Sequence, residues 1–203
     1  VVSLDARDTL FAVSPETALA PASNMKLLTT AAALQVLGPE YRFRTYLLAD
    51  GIVENGVLNG DLELYGTGDP GISDRFYGKK DEVFQRLLDE LEIAGIHKIT
   101  GDLVADASFF SGPLRGEGLD PRDLNEHFTA AVSALSYNEN VVSFRIRPGP
   151  VGSTPLVETI PSHSALEVVN TAETVVGRAR PRLAILREDP TEAVRVEGRM
   201  TSG

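Results

Sequence analysis

Cysteine is absent from all 203 residues, which excludes disulfides, thiolate metal sites and a cysteine nucleophile. The same absence leaves the compartment open, since many exported bacterial proteins also lack cysteine. Histidine is scarce. His97, His127 and His163 each stand alone, without HxH or HxxxH spacing, so loop histidines are a better reading than a metal site built from them with Asp102 or Asp106. No run approaches the roughly 18–20 apolar residues of a membrane span, so no transmembrane segment is expected. The N-terminus has no charged-then-apolar signal pattern and opens directly in Val-Val-Ser-Leu. We therefore expect a mature or excised piece from which any export signal has been removed. Positive charge is also short: 19 basic against 29 acidic residues give a net charge of -10, which opposes binding to a phosphate backbone. Arg178, Arg180, Arg182 and Arg187 do gather, but at the spacing of outward strand faces, and they read as a solvated surface. No nucleic-acid partner is expected. What the chain does have is 42% hydrophobic residues, enough for one large or two small packed domains.

The informative stretch is Pro21-Ala-Ser23-Asn-Met-Lys26, which runs into an Ala/Leu-rich segment and stops at Gly38-Pro39. On a helix, residues three apart lie about one turn apart with β-carbons roughly 5–6 Å from each other, so Ser23 Oγ and Lys26 Nζ can share a hydrogen bond. A free serine hydroxyl is a poor nucleophile, and an amine held neutral by partial burial or a neighbouring cation can take its proton. Ser-Lys pairing is one known solution to that problem. The competing reading is a serine that caps its helix and a solvated lysine. Context favours chemistry: Met25, Leu27, Leu28, three alanines, Leu34, Val36 and Leu37 are apolar around most of the circumference, which predicts a helix buried in a larger body and a partly desolvated Lys26. A Ser-His-Asp triad through Ser23 is unsupported, because Lys26 already fills the base position.

In chain order, residues 1–4 and 9–13 read as two short strands joined by a polar turn. After the Ser23 helix the pattern changes to alternation at residue 41, which predicts a domain boundary near residues 38–41. Asp50-Gly51, Asn55-Gly56 and Asn59-Gly60 read as turns spacing an antiparallel meander over residues 41–65. Residues 81–94 form an amphipathic helix with Gly95 as its C-terminal cap. Strand material follows at residues 96–99 and 101–106, then an irregular segment over 107–126 of a length that suggests a cover or an interaction surface. Strands are expected at 141–147, 156–160, 166–170, 182–187 and 194–200. The fold class is α+β, with a mainly antiparallel second part.

Gly66-Thr-Gly68-Asp-Pro-Gly71 formally matches G-x-G-x-x-G. Pro70 interrupts it, and the next helix begins near Lys80, too far off to aim its N-terminus at a phosphate, so a plain glycine-rich loop is preferred to a nucleotide site. Ser136-Tyr137-Asn138 is the other distraction. Enzymes with a Ser-x-x-Lys nucleophile carry a Ser-x-Asn (or Tyr-x-Asn) element and a Lys-Thr-Gly element around the pocket. Ser136 and Asn138 imitate the second element, but the segment runs straight into the strand at 141–147 and reads as a strand-entry turn. No Lys-Thr-Gly, His-Thr-Gly or Lys-Ser-Gly triplet occurs.

These residues resemble the penicillin-binding protein 4 type D-alanyl-D-alanine carboxypeptidases/endopeptidases, the class C low-molecular-mass penicillin-binding proteins. Residues 21–29 with Leu37-Gly-Pro39 are similar to the family's nucleophile helix. Residues 55–62, 66–70, 101–109 and 133–140 resemble the accessory region that the family inserts after it. The resemblance implies that residues 1–40 are the N-terminal part of a serine DD-peptidase (β-lactamase-like) domain and that 41–203 are the inserted, mainly antiparallel-sheet region. It assigns Ser136-Tyr-Asn138 to the insertion and places the true Ser-x-Asn and Lys-Thr-Gly beyond Gly203. It further implies Ser23 as nucleophile and Lys26 as base. The substrates would be peptidoglycan stem peptides, cleaved through an acyl-enzyme. β-Lactams would acylate the same serine, no metal or organic cofactor would be needed, and the location would be periplasmic or extracellular, in the cell envelope. The fragment alone is expected to be inactive. The rival expectation is a non-catalytic envelope binding or scaffold module in which Ser23 merely caps a helix.

Overall fold

The computed structural model describes all residues except 80, 81, 117, 121, 122, 163, 178, 179, 188–192 and 203, so His163 and Arg178 lie outside the described residues. The chain forms two compact units, Val1–Arg42 and Phe43–Gly203.

In the first unit, β1 (Val2–Ser3) and β2 (Asp8–Thr9) pair antiparallel as a short hairpin. A 3-10 turn, Ala22–Asn24, leads into α1, Met25–Leu37. The helix ends where Gly38, at φ 82°, donates its N–H to Leu34 O at 3.1 Å. That backbone angle is one that glycine adopts without penalty, which explains a stop at this residue. α1 has no buried residue, contrary to the expectation of an enclosed helix. The physical reason is size: one two-stranded hairpin and one helix offer too little surface to enclose a helix that is apolar on every side.

The second unit begins with a hairpin of two ten-residue strands, β3 (Thr45–Glu54) and β4 (Val57–Gly66). Asn55 (φ 50°) and Gly56 (φ 79°) make its two-residue turn, the conformation an Asn-Gly pair favours between right-twisted strands. Asp50-Gly51 and Asn59-Gly60, expected as turns, lie inside the strands instead. Gly51 faces Gly60 across the ladder, and a β-carbon on Gly51 would sit 2.4 Å from Asn59 O. These glycines therefore serve close backbone approach, and the meander is one long hairpin.

β5 (Lys98–Ile99) and β6 (Leu103–Asp106) add to the far edge of β4 in parallel. The amphipathic helix α2, Glu82–Ile93, covers one face of this sheet. Leu58, Leu62 and Ile96 form the buried cluster there, with Leu47, Leu91 and Ile99 packed against it. Glu82 secures the helix start by accepting from Gly78 N–H at 3.2 Å and pairing with Arg86 at 2.7 Å. β7 (Ser143–Arg147) and β8 (Leu156–Ile160) form a separate antiparallel pair. In the last sheet, β12 (Val194–Thr201) pairs antiparallel with β11 (Arg182–Leu186) and parallel with β9 (Val168–Asn170) and β10 (Glu173–Val175). Its core is Val194, Val196, Ala172 and Thr174.

Candidate active site

Ser23 sits in the 3-10 turn and Lys26 in the first turn of α1. The two are three residues apart across the junction of the 3-10 turn and α1, about one helical turn, the spacing of neighbours on one helix face. Pro21 fixes the approach with φ -68°. Ala22 then adopts φ 45°, a left-handed conformation costing about 1–2 kcal/mol in a residue with a β-carbon. The turn is closed by Asn24 N–H donating to Pro21 O at 2.9 Å. Thr29 and Thr30 donate their hydroxyls back to Met25 O (3.1 Å) and Lys26 O (2.6 Å), which ties down the backbone around the lysine.

Ser23 does not cap α1. Asn24 occupies the cap position, and no side chain makes a cap hydrogen bond there. Ser23 and Lys26 are both exposed, which corrects the expectation of a partly desolvated lysine. Among the described residues their side chains have no hydrogen-bond partner, each other included. The serine and the amine are thus free for chemistry, on a helix whose apolar sides are uncovered in this unit.

Ser136 and Asn138 belong to the second unit and are engaged locally. Ser136 Oγ donates to Ser133 O at 3.1 Å and accepts from Asn140 Nδ2 at 3.0 Å. Asn138 Nδ2 donates to Val141 O at 2.7 Å, and its backbone N–H to Ile72 O at 2.9 Å. Asn138, Glu139 and Asn140 are successively left-handed, with φ 52°, 58° and 55°. Asparagine tolerates that region, and Glu139 is anchored by Arg75 at 2.8 Å. The strand-entry turn is therefore strained, a detail that its asparagine content hinted at without specifying.

The glycine-rich loop is likewise accounted for within the chain. Gly68 N–H donates to Ala134 O at 2.7 Å, Gly71 N–H to Asp69 Oδ1 at 2.8 Å, and a β-carbon on Gly66 would sit 2.3 Å from Ala134 O. Among the described residues no group of three or more His, Asp or Glu could hold a metal ion. Within the segment expected to be a cover or interaction surface, residues 107–114 border a cleft of about 530 Å³ lined by Phe109, Phe110, Leu114 and Val132.

Sequence reasoning missed one pair of carboxyls. The parallel register that sets Tyr65 beside Asp106 brings Glu63 within hydrogen-bond reach of Asp106. Glu63 is pushed above the ordinary glutamate value, first by desolvation and then by its hydrogen bond to Asp106 and the charges of Asp106 and Asp50. Asp106 is held below its usual value by the Ser108 backbone N–H, which donates to it at 2.6 Å, by the Ser108 hydroxyl, and by Glu63. No sequence signal marks this pair, because a parallel pairing across about forty residues leaves no local trace.

The model of the D-Ala-D-Ala carboxypeptidase 3 (S13) family matches residues 1–202. The chain belongs to that family. It is 38% identical over 119 residues to D-alanyl-D-alanine carboxypeptidase DacB of Haemophilus influenzae, covering 59% of this chain and 23% of the relative. It is 30% identical over 186 residues to a D-alanyl-D-alanine carboxypeptidase of Actinomadura sp. strain R39, covering 89% of this chain and 33% of the relative. Its structure is similar to the crystal structure of penicillin binding protein 4 (dacB) from H. influenzae, with TM-score 0.72, 28% identity and coverage of 91% of this chain and 40% of the other. The chain thus spans 23% and 33% of the length of those two curated relatives. The S13 family is the one the sequence resemblance pointed to, and the mixed α+β fold agrees with it.

Proposed function

We propose that this S13 chain carries the nucleophile segment of a serine D-Ala-D-Ala carboxypeptidase that acts on peptidoglycan stem peptides in the periplasm or on the outer cell surface. The observation that carries the proposal is the placement of Ser23 and Lys26 at the entrance of α1, three residues apart, in a chain whose relatives are named for this activity. Residues 1–40 are the N-terminal part of the catalytic domain and 41–203 an inserted accessory region.

The chemistry is acyl transfer. Ser23 Oγ attacks the carbonyl carbon of the penultimate D-Ala while Lys26 Nζ takes the hydroxyl proton. Collapse of the tetrahedral intermediate expels the terminal D-Ala amine, which takes the proton from Lys26. Water then hydrolyses the Ser23 ester and frees the serine. The same reaction on a cross-link amide is endopeptidase action, and β-lactams acylate Ser23 without release. The chemistry calls for no cofactor. An oxyanion-stabilising and carboxylate-binding wall must come from outside these residues, so the 203-residue piece alone is inactive.

Labelled penicillin tests this on the full-length protein: wild type is labelled and Ser23→Ala is not. Labelling that survives Ser23→Ala would sink the assignment. Stoichiometric labelling of residues 1–203 alone would return Ser136 and Asn138 to the site. The rival reading, a non-catalytic envelope module, draws on the missing Ser23–Lys26 hydrogen bond; it requires that full-length protein neither label nor release D-Ala.

A further inference from the structure

β3 lies at the edge of its sheet. It pairs with β4 on one side, and among the described residues its backbone makes no hydrogen bond on the other. Ten residues of open edge present alternate N–H and C=O groups to an incoming strand. Natural edges are usually guarded by lysine, proline, a bulge or a short length. The pair β7–β8 follows that custom, with Arg145 and Arg147 paired to Glu158 at 4.0 and 3.7 Å. β3 is guarded less: its only charges are the acidic Asp50 and Glu54, Thr45–Glu54 contains no lysine, arginine or proline, and Tyr46, Leu48, Ile52 and Val53 are exposed along it.

We propose that β3 pairs antiparallel with β3 of a second copy, about a two-fold axis through Ala49, and joins the two four-stranded sheets into one. The register follows from face and charge. A dyad perpendicular to the sheet must pair residues of the same face, so it passes through a residue. Centred on Asp50, it would set the two Asp50 carboxylates directly opposite each other, a destabilising cross-strand pair. Centred on Ala49, it sets Tyr46 opposite Ile52 twice, Leu48 opposite Asp50, and Arg44 opposite Glu54 at both ends. Arg44 and Glu54 are exposed and have no ion-pair partner among the described residues. Both are then matched by the same contact that covers the apolar edge. This complementarity with itself selects a second copy over an unrelated extended peptide.

Residues 1–203 contain no cysteine, so once any cysteine elsewhere in the full-length protein is replaced by serine the test is direct. In full-length protein, Ala49→Cys places two thiols on the axis with α-carbons about 4.5–5.5 Å apart, within disulfide range, and mild oxidation gives a covalent dimer. Asp50→Cys places its pair on a diagonal of roughly 7–8 Å and stays uncrosslinked. In sedimentation velocity, wild type is dimeric at tens of micromolar. Arg44→Glu weakens the dimer about tenfold, Glu54→Arg does the same, and the double swap restores it. Three results would overturn the proposal: a wild type monomeric at 100 µM, a dimer indifferent to both charge reversals, or crosslinking through Asp50→Cys but not Ala49→Cys. A monomer whose β3 amides gain hydrogen-exchange protection only on adding an extended peptide gives the edge to a peptide and also overturns it.

Discussion

The two helices are nearly the same length, 13 and 12 residues, and opposite in what they ask of their surroundings. α2 has a charged face and an apolar stripe. One sheet takes up part of that stripe: Val83 is buried and Leu91 packs on the Leu58–Leu62 cluster, while Leu88 stays exposed. α1 is apolar around its circumference and satisfied nowhere in its unit, with Leu27 and Val36 exposed to 72% and 80%. An amphipathic helix encodes one neighbour, whereas a helix apolar on every side encodes an enclosure. The difference marks α2 as scaffold that finds its main neighbour within its own unit. It leaves α1 as a helix whose apolar sides its own unit does not cover, which fits the proposed role of carrying Ser23 and Lys26 into a larger enclosure.

The sharpest way to break this contrast is at the lysine. Lys26→Met keeps the length and apolar stem of the side chain and removes the proposed base. In full-length protein we expect acylation by labelled penicillin to slow by about 10²–10⁴-fold, the usual contribution of a general base, with the melting temperature unchanged. An unaltered acylation rate would strip α1 of its chemical role and leave the two helices differing only in packing.

Next in size are the packing terms. Leu62→Ala removes a side chain that is 4% exposed beneath α2, and should cost about 2–5 kcal/mol in urea denaturation. Leu28→Ala removes one that is 64% exposed in this unit. If the rest of the protein encloses α1, the full-length protein loses a comparable 2–5 kcal/mol. A loss under about 0.5 kcal/mol, typical of surface substitutions, would mean that α1 stays open to solvent and that its composition has some other cause.

How much of this was legible in the sequence depends on the range of the interaction. Ser23-x-x-Lys26, the α2 stripe and the Asn55-Gly56 turn are local, and each could be read directly from residue type and spacing. Asp50-Gly51 and Asn59-Gly60 carry the same dipeptide signature as a turn, yet they face each other across a ladder. Sequence alone cannot tell a glycine that turns the chain from one that lets two strands approach. β10 was missed because Glu173–Val175 has too few residues to alternate. The parallel pairing of β5 and β6 on β4 was hidden because period-two alternation carries no strand direction. The exposure of Lys26 was misjudged for a related reason: α1's composition reports the environment it is built for, which its own 42-residue unit does not supply.

The smallest effect concerns the sheet face turned away from α2, where the Glu63 and Asp106 carboxyls meet. Glu63 is raised in the folded state, so its contribution to stability is present below its unfolded value near 4.5 and is lost as pH rises through the folded one. Asp106 is lowered, so its contribution is present above its unfolded value near 3.8 and is lost as pH falls through the folded one. The two oppose each other, and the pair adds little net pH dependence to folding. Its signature is spectroscopic. In a carboxyl ¹³C titration, Asp106→Asn should move the Glu63 midpoint down but leave it above the ordinary glutamate value, because desolvation is the larger cause and persists. A midpoint that falls all the way back would make the partner charge the whole effect and show this face to be as solvated as the exposed sides of α1. A midpoint that does not move would dissolve the pair altogether.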